Sequence, residues 1–134
     1  MKLRSFLVAA FFFCSSLCIA TAAEIAGTWT AQFDSQIGVQ TYVYVFTEDG
    51  DKLTGKASYD HSMGKGESQL KDIKLENDMI SFVETVRFDG MELVIIYSGK
   101  VTADQMDLKR VVGDFATEQI VVKRAKPQTA KSAK

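Results

Sequence analysis

Apolar and polar residues alternate along most of the chain. From Gly27 onward, apolar side chains recur at every second position, which is the period of a β-strand with one buried face and not the period of about 3.6 residues of an amphipathic helix. The predicted buried positions of the clear segments are Trp29, Ala31 and Phe33; Tyr42, Tyr44 and Phe46; Leu53, Gly55, Ala57 and Tyr59; Ile80, Phe82, Glu84, Val86 and Phe88; Met91, Leu93, Ile95, Tyr97 and Gly99; Met106, Leu108, Arg110 and Val112; and Ile120, Val122 and Arg124. A weaker strand covers about residues 69–75. β-Branched and aromatic residues fill all of these segments, so the sequence predicts an all-β protein.

Turn signals separate the predicted strands. Residues 48–51 connect the second strand to the third, residues 77–78 connect the fourth to the fifth, and Asp89 with Gly90 connects the fifth to the sixth. An Asp-Gly pair suits the positive φ angles of a type I′ hairpin turn. Short connections make successive strands pair antiparallel, and closure of the sheet removes its exposed edges. We therefore predict an eight-stranded antiparallel up-and-down barrel, with a two-sheet β-sandwich as the alternative.

The first 23 residues follow a different pattern. Two basic residues precede an uncharged stretch dominated by Phe, Leu, Ala and Val, and small residues follow at positions 20–23. This is the order of regions in a secretory signal peptide, and the apolar run is shorter than the roughly 20 residues of a transmembrane helix. We predict a signal peptide over residues 1–23 that is cleaved after Ala22 or Ala23. The protein is then secreted or periplasmic, without a stable membrane anchor.

Composition limits what the rest of the chain is expected to do. Both cysteines lie within residues 1–23, so a domain over residues 24–125 is held by its core without disulfides. Loss of the signal peptide leaves fourteen Lys and Arg against seventeen Asp and Glu, a net charge of −3. No basic stripe is present, so no nucleic-acid partner is expected. Residues 126–134 are polar and predict a disordered tail.

A family resemblance is visible at both ends of the predicted barrel. The run Gly27-Thr28-Trp29 resembles the Gly-x-Trp opening of the calycins, the superfamily of lipocalins, fatty-acid-binding proteins and avidins. Those proteins often place an Arg or Lys of the last strand across that Trp, which implies a structural role for Arg124 here. Residues 99–101 and 120–124 also resemble small secreted bacterial barrel domains, which occur alone or appended to glycoside hydrolases.

Two charged residues interrupt the predicted interior. Glu84 and Arg110 each lie between apolar residues of the same phase. Burial of an unpartnered charge costs several kcal/mol, so we expect the two side chains to meet across the lumen. They either anchor a carboxylate or hydroxyl group of a ligand in an apolar pocket, or form an internal ion pair that satisfies only itself, or a bulge turns one of the two to solvent. The tyrosines expected to supply hydroxyl groups to the same space are Tyr42, Tyr44, Tyr59 and Tyr97.

Residues 59–66 form the longest polar break in the pattern and contain His61, the only histidine. Asp60, His61 and Ser62 are adjacent, but the members of a catalytic triad meet through the fold and not along the chain. We therefore expect a mobile loop at the barrel mouth, with general acid–base chemistry at His61 as the alternative.

No cofactor or metal is expected from the motifs. Residues 48–51 have the acidic character of a calcium loop but lack its length and its terminal bidentate Glu. Without cysteines and with one histidine, the domain has few transition-metal ligands, and no phosphate loop, dinucleotide fingerprint or nucleophile elbow is present. The carboxylates of a glycoside hydrolase are paired in space, so the sequence does not reveal them. Glu84 is the candidate for such a role.

An apolar patch is expected on the outer face of the fifth and sixth strands, formed by Val83, Val94 and Ile96. Such patches often mark contacts between subunits, here a homodimer, although single surface valines are common in strands. The sequence thus leaves three functions open. The first is an exported barrel that holds a small, mainly apolar molecule in its lumen. The second is an extracytoplasmic hydrolase or glycan-related accessory domain, and the third is a structural or interaction protein that uses its outer face.

Overall fold

The computed structural model describes residues 24–126. Its strands are β1 Gly27–Ser35, β2 Gly38–Asp49, β3 Lys52–His61, β4 Gly64–Glu76, β5 Met79–Phe88, β6 Met91–Val101, β7 Gln105–Val112 and β8 Ala116–Arg124. Each strand pairs antiparallel with the next, and β8 returns to pair with β1. The predicted up-and-down barrel is confirmed, and the sandwich alternative is wrong. The predicted signal peptide and residues 127–134 of the predicted tail lie outside the described residues.

Short turns connect the strands. Asp89 and Gly90 have φ angles of 49° and 75°, as a type I′ turn requires, and the turns at residues 50–51 and 77–78 lie within the predicted positions. The predicted loop over residues 59–66 is wrong, because β3 and β4 extend into it and leave a turn at residues 62–63. The alternation of apolar and polar residues is not visible there because Gly66, at an inward position, has no side chain. The ring of Tyr59 occupies the space that a Cβ of Gly66 would need.

A bulge explains the weak pattern of β4. The register with β5 shifts between Lys71 and Lys74, and Asp72 in this segment has a φ angle of 51°, which is typical of a residue inserted into a strand. The extra residue places the inward positions Leu70 and Ile73 three residues apart instead of two, so the period breaks inside a continuous strand.

The middle of the lumen is a packed aromatic core. The largest completely buried side chains include Trp29, Tyr44, Phe46, Phe82 and Tyr97. Ring centroids are 4.5 Å apart for Phe82 and Tyr97 and 5.4 Å apart for Phe46 and Phe82. Aromatic side chains bury large apolar areas and favour such offset and edge-to-face contacts. No helix within residues 24–126 is long and apolar enough to cross a membrane.

The two ends of the barrel differ. At one end, residues 24–26 fold across the opening: Ile25 is completely buried, and its carbonyl accepts a 2.8 Å hydrogen bond from the indole nitrogen of Trp29. We call this the sealed end. The other end carries the turns at residues 36–37, 62–63, 89–90 and 113–115. Every described residue there belongs to a strand or to one of these short turns, so no comparable segment crosses it. We call it the open end.

Candidate functional site

A row of inward side chains leads from the aromatic core towards β8. Phe82, Tyr97, Arg110 and Glu118 are direct neighbours on β5, β6, β7 and β8. Direct neighbours on one face of an antiparallel sheet have Cβ atoms roughly 4.5–5.5 Å apart, so the register alone brings these groups together. The row begins with a hydrocarbon ring and ends with an ion pair between Arg110 and Glu118, whose nearest atoms are 2.6 Å apart.

Arg110 is the centre of a buried hydrogen-bond network. Its side chain is 3% exposed; Nη1 donates to Glu118, Nε donates to the hydroxyl oxygen of Tyr97 at 3.0 Å, and Nη2 donates to that of Tyr42 at 3.1 Å. The guanidinium carbon also lies 5.3 Å from the ring centroid of Phe33. Charge-assisted hydrogen bonds and cation–π contacts gain strength where water is excluded. Each nitrogen of the guanidinium group therefore already has a partner.

Glu84 is completely buried, and two hydroxyl groups satisfy its carboxylate. Tyr97 donates to Oε1 at 2.7 Å, and Ser68 donates to Oε2 at 2.5 Å. Glu84 and Arg110 do not form a direct ion pair. The expected meeting is indirect, because Tyr97 lies on β6 between their strands and its hydroxyl group accepts from Arg110 while it donates to Glu84. Tyr44 donates to the same hydroxyl oxygen at 3.2 Å from the opposite wall.

Burial keeps the phenols of this network protonated. Desolvation raises the pKa of Tyr44 and Tyr97 well above the usual range and also raises that of Tyr42, and repulsion between a phenolate and the nearby Glu84 adds to each shift. Burial acts to lower the pKa of Arg110, but the oxygen atoms of Tyr97 and Tyr42 outweigh it, so this pKa is raised. At neutral pH the network contains neutral phenols around a charged guanidinium group.

Stacked rings continue from this network to the rim of the open end. Tyr42 stacks on Phe33 with centroids 5.9 Å apart, contacts Tyr59 at 5.8 Å, and Tyr59 stacks on His61 at 5.3 Å with an angle of 4° between the rings. Tyr59 is half-buried, unlike the other three tyrosines, which are buried. His61 is thus the outermost ring of this array.

The polar neighbours of His61 have other partners. Ser62 donates a hydrogen bond to the carbonyl of Ile37 at 2.6 Å, and Asp60 forms an exposed ion pair with Lys65 at 3.4 Å. His61 itself accepts a hydrogen bond at Nδ1 from the backbone amide of Met63. The three adjacent residues do not form a catalytic arrangement, since a triad needs its members hydrogen-bonded to one another.

All four turns at the open end carry exposed apolar side chains in or beside them. We call these residues the apolar crown: Ile37, Met63, Phe88, Met91 and Phe115. Phe115 is 66% exposed. At the sealed end the turns contain Gly, Asp, Asn, Thr and Ala, with exposed Met79 beside one of them. Contiguous exposed apolar residues mark binding surfaces more often than scattered ones do.

At the sealed end, Arg124 lies over the indole of Trp29, with its guanidinium carbon 4.2 Å from the ring centroid. Its three nitrogens donate to the backbone carbonyls of Glu24, Ala26 and Ala103 at 2.5–2.9 Å. These contacts attach the first described residues to the turn between β6 and β7. The pair therefore closes the sealed end of the barrel.

Two residues of the network, Ser68 and Glu118, were missed in the sequence. Each lies two positions before an inward apolar residue, Leu70 and Ile120 respectively. Extension of the alternating pattern by one step on each strand would have placed both side chains inside the barrel.

The outer patch forms as a row on the sheet. Val83 is paired with Ile96 across β5 and β6, and Ile96 is paired with Val111 across β6 and β7. Val94 and Ile96 are 45% and 49% exposed, while Val83 is half-buried. These side chains lie on the face opposite to the network.

Two of the chemical roles considered from the sequence, metal binding and hydrolysis at Glu84, can be compared with the described residues. No group of three His, Cys, Asp or Glu side chains there is arranged to hold a metal ion. Glu84, the candidate carboxylate for hydrolysis, is completely buried and has both oxygens hydrogen-bonded, so it does not face a surface that a glycan reaches.

Comparison of the chain with protein-family models, curated proteins and solved structures gives no match in any of the three. The closed eight-stranded barrel is compatible with a calycin-like fold.

Proposed function

We propose that the protein is a binding module that holds a small, mainly apolar molecule at the open end of its barrel. The difference between the two ends carries this proposal. The sealed end is closed by residues 24–26, whereas the open end surrounds a polar floor, formed by Arg110, Glu118 and Tyr42, with the apolar crown. An apolar wall with a few fixed polar groups is the usual form of a small-molecule site.

The packed core limits how deep the ligand sits. Because Tyr44, Phe82 and Tyr97 fill the middle of the lumen, the molecule occupies the mouth and not the full length of the barrel. Its apolar part contacts the half-buried residues that line this end, which are Phe33, Tyr59, Val86, Leu93 and Val112. The polar group of the ligand lies at the polar floor, and Tyr97, which is hydrogen-bonded to Glu84 and Tyr44, supports Arg110 from the core side.

The calycin resemblance supports the same proposal. The Gly-x-Trp opening and the arginine over that indole are the features that resemble the superfamily, and both lie at the sealed end here. A carrier of the lipocalin type needs one closed end and one accessible end. The unequal ends of this barrel fit that requirement.

Native mass spectrometry of the protein purified from its own cells, compared with the denatured mass, tests the proposal. We expect extra mass that is lost on denaturation. The variant Phe33→Ala, at the open end, should lose it, and Leu75→Ala, an equally half-buried position near the sealed end, should keep it. A bare native mass, together with no binding of the neutral fluorescent probe N-phenyl-1-naphthylamine, would contradict the proposal.

We also propose that the protein is exported and that residues 1–23 are removed, on the basis of the charged, apolar and small-residue regions in that order. Edman sequencing of the protein from the extracytoplasmic fraction should begin at Ala23 or Glu24. An intact N-terminal Met on the mature protein would contradict this.

A second proposal concerns the outer patch of Val83, Val94, Ile96 and Val111. A two-fold contact between two copies would bury this row against itself, since isologous interfaces use one patch on both subunits. Sedimentation velocity should show a dimer for the natural protein and for the control Thr30→Lys on β1, and a monomer for Val94→Lys. A monomeric natural protein at high concentration would exclude the dimer.

A further inference from the structure

The polar floor of the open end contains an acceptor without a donor. Glu118 Oε1 accepts the hydrogen bond from Arg110, but Glu118 Oε2 is buried and has no hydrogen-bond partner among residues 24–126. Buried polar atoms are nearly always paired, and an unpaired one costs free energy. A ligand that donates a hydrogen bond to Glu118 Oε2 would recover that free energy.

The charges around this atom favour a cation. Glu84 and Glu118 contribute two carboxyl groups to the interior network and Arg110 contributes one guanidinium group, so acidic groups outnumber basic groups there. The three nitrogens of Arg110 already donate to Glu118, Tyr97 and Tyr42. An anionic ligand at Arg110 would lie beside the carboxylate of Glu118 and be repelled by it, whereas a cationic donor meets the unpaired acceptor Glu118 Oε2.

The wall beside Glu118 is the least paired part of the barrel. The pairing of β1 with β8 comprises Trp29 with Arg124 and Thr30 with Lys123, both near the sealed end, while each of the other strand pairs extends over a longer register. Glu118 lies five residues beyond Lys123 on β8, towards the open end. Side chains at this seam can move aside without breaking a ladder of backbone hydrogen bonds.

Aromatic faces lie next to the same atoms. Arg110 rests 5.3 Å from the ring centroids of Phe33 and Tyr42, and Tyr59 and His61 extend the stack to the rim. Ring faces attract both planar apolar groups and cations. Arg110 already lies against Phe33 and Tyr42, so the rings offer contact to the planar apolar body of a ligand, and its cationic end is left to Glu118.

We infer that the ligand of the open end is an organic cation, with an amine or amidine group on a planar apolar body, and that Glu118 Oε2 accepts the hydrogen bond from this group. The inference rests on the proposed function, because it names the chemical class that the open end binds. It differs from the expectation drawn from the sequence, in which Arg110 anchors a carboxylate or a hydroxyl group.

Three probes of one size and shape test the inference: benzamidine, which is cationic, benzamide, which is neutral, and benzoate, which is anionic. Titrations followed by ¹H–¹⁵N NMR give the dissociation constant of each probe and the residues that shift. We expect benzamidine to bind about tenfold or more tightly than benzamide, as for a hydrogen bond to a charged group, and benzoate to bind weakest. The shifts should lie around Phe33, Tyr59 and Glu118.

The variant Glu118→Gln should reverse the order. Removal of the carboxylate leaves the guanidinium group of Arg110 without its ion-pair partner, so the preference for benzamidine disappears and benzoate gains affinity. The control Glu92→Gln removes an exposed carboxylate from β6 near the same end and should keep the original order. Where Glu118→Gln does not fold, the probe series on the natural protein decides alone.

The outcomes separate the two proposals. Binding of the probes at the open end with benzoate or benzamide tightest would overturn the cation inference and leave the binding function standing. Absence of any shift at the open end for all three probes, together with a bare native mass, would overturn both. If benzamidine binds the natural protein most tightly and this preference is lost in Glu118→Gln, both the binding function and the cation inference are supported.

Discussion

Each end of the barrel holds an arginine against an aromatic ring, but the two arginines have different partners. Arg124 at the sealed end donates to three backbone carbonyls and covers Trp29. Arg110 near the open end donates to three side chains, those of Glu118, Tyr97 and Tyr42. Backbone acceptors are fixed by the strands and turns that carry them, whereas side-chain acceptors can rotate to a new partner.

This difference suits the ends to different roles. Each nitrogen of Arg124 has a backbone carbonyl as its acceptor, so the contact completes the fold. The acceptors around Arg110 include a carboxylate with one free oxygen, and they are bordered by half-buried apolar residues and the apolar crown. Satisfied polar groups stabilise a structure, while incompletely satisfied groups near an opening mark the place where a ligand completes the network.

The largest effect is expected for Arg110→Met. This change leaves Glu118 buried without its cation and removes the donor to Tyr97 and Tyr42, and loss of one partner of a buried ion pair costs about 3–5 kcal/mol. Urea unfolding followed by the fluorescence of Trp29 measures the loss. The exposed control Arg87→Met should change the free energy of unfolding by less than about 0.5 kcal/mol.

A second substitution sharpens this prediction. Glu118→Gln in the Arg110→Met background removes the unpaired charge and should recover part of the lost free energy. A loss below about 1 kcal/mol for Arg110→Met alone would mean that the open end is held by its apolar residues, and the contrast between the two ends would disappear.

Alkaline pH should lower the free energy of unfolding, mainly through the buried phenols of the network. The folded protein keeps the phenolic protons of Tyr42, Tyr44 and Tyr97, whose pKa values are raised, while the unfolded chain loses them above a pKa of about 10. The contribution of these three phenols to stability is therefore fully present below that pH and falls as the pH rises beyond it. Three retained protons give a slope of about 4 kcal/mol per pH unit before these phenols ionise in the folded state.

Urea midpoints between pH 8 and 11.5, with the tyrosinate absorbance at 295 nm, measure this effect. Tyr97→Phe should reduce the slope by about a third, because one of the three protons is removed. Ionisation of all three buried phenols in a protein that stays folded would show that the network admits water and is not desolvated.

The fold was predictable because the period of two runs through seven of the eight strands and the Asp89-Gly90 turn joins two of them. The exceptions have local causes. Asp72 inserts an extra residue into β4, and Gly66 leaves an inward position without a side chain. Neither Asp72 nor Gly66 places an apolar side chain at the expected inward position. The pattern therefore predicts too short a β4, with a loop in place of its first residues.

The candidate site was predictable as a set of inward positions but not as a set of contacts. Phase placed Glu84 and Arg110 inside, yet only the closed register shows that Tyr97 lies between them and that Glu118 is the partner of Arg110. The sequence also does not reveal which end is accessible, because closure of the sealed end depends on Ile25 and its neighbours crossing the opening.

Among the predicted losses of stability, the smallest is expected for Arg124→Met, the change at the sealed end that matches Arg110→Met. Two of its three hydrogen bonds are exposed, so water replaces them in part, and the loss should be about 2 kcal/mol, less than for Arg110→Met. Arg124→Lys keeps the cation over Trp29 but cannot reach three carbonyls at once, so its stability should lie between those of Arg124→Met and the natural protein.

Urea unfolding gives the free energies, and hydrogen exchange at the amide of Ala125, which donates to the carbonyl of Thr28 at 2.9 Å, reports the sealed end directly. Equal losses for Arg124→Met and Arg110→Met would show that both ends depend on their arginines to the same degree. A smaller loss with fast exchange confined to the sealed end would show that Arg124 fastens the closing segment while Arg110 supports the whole interior.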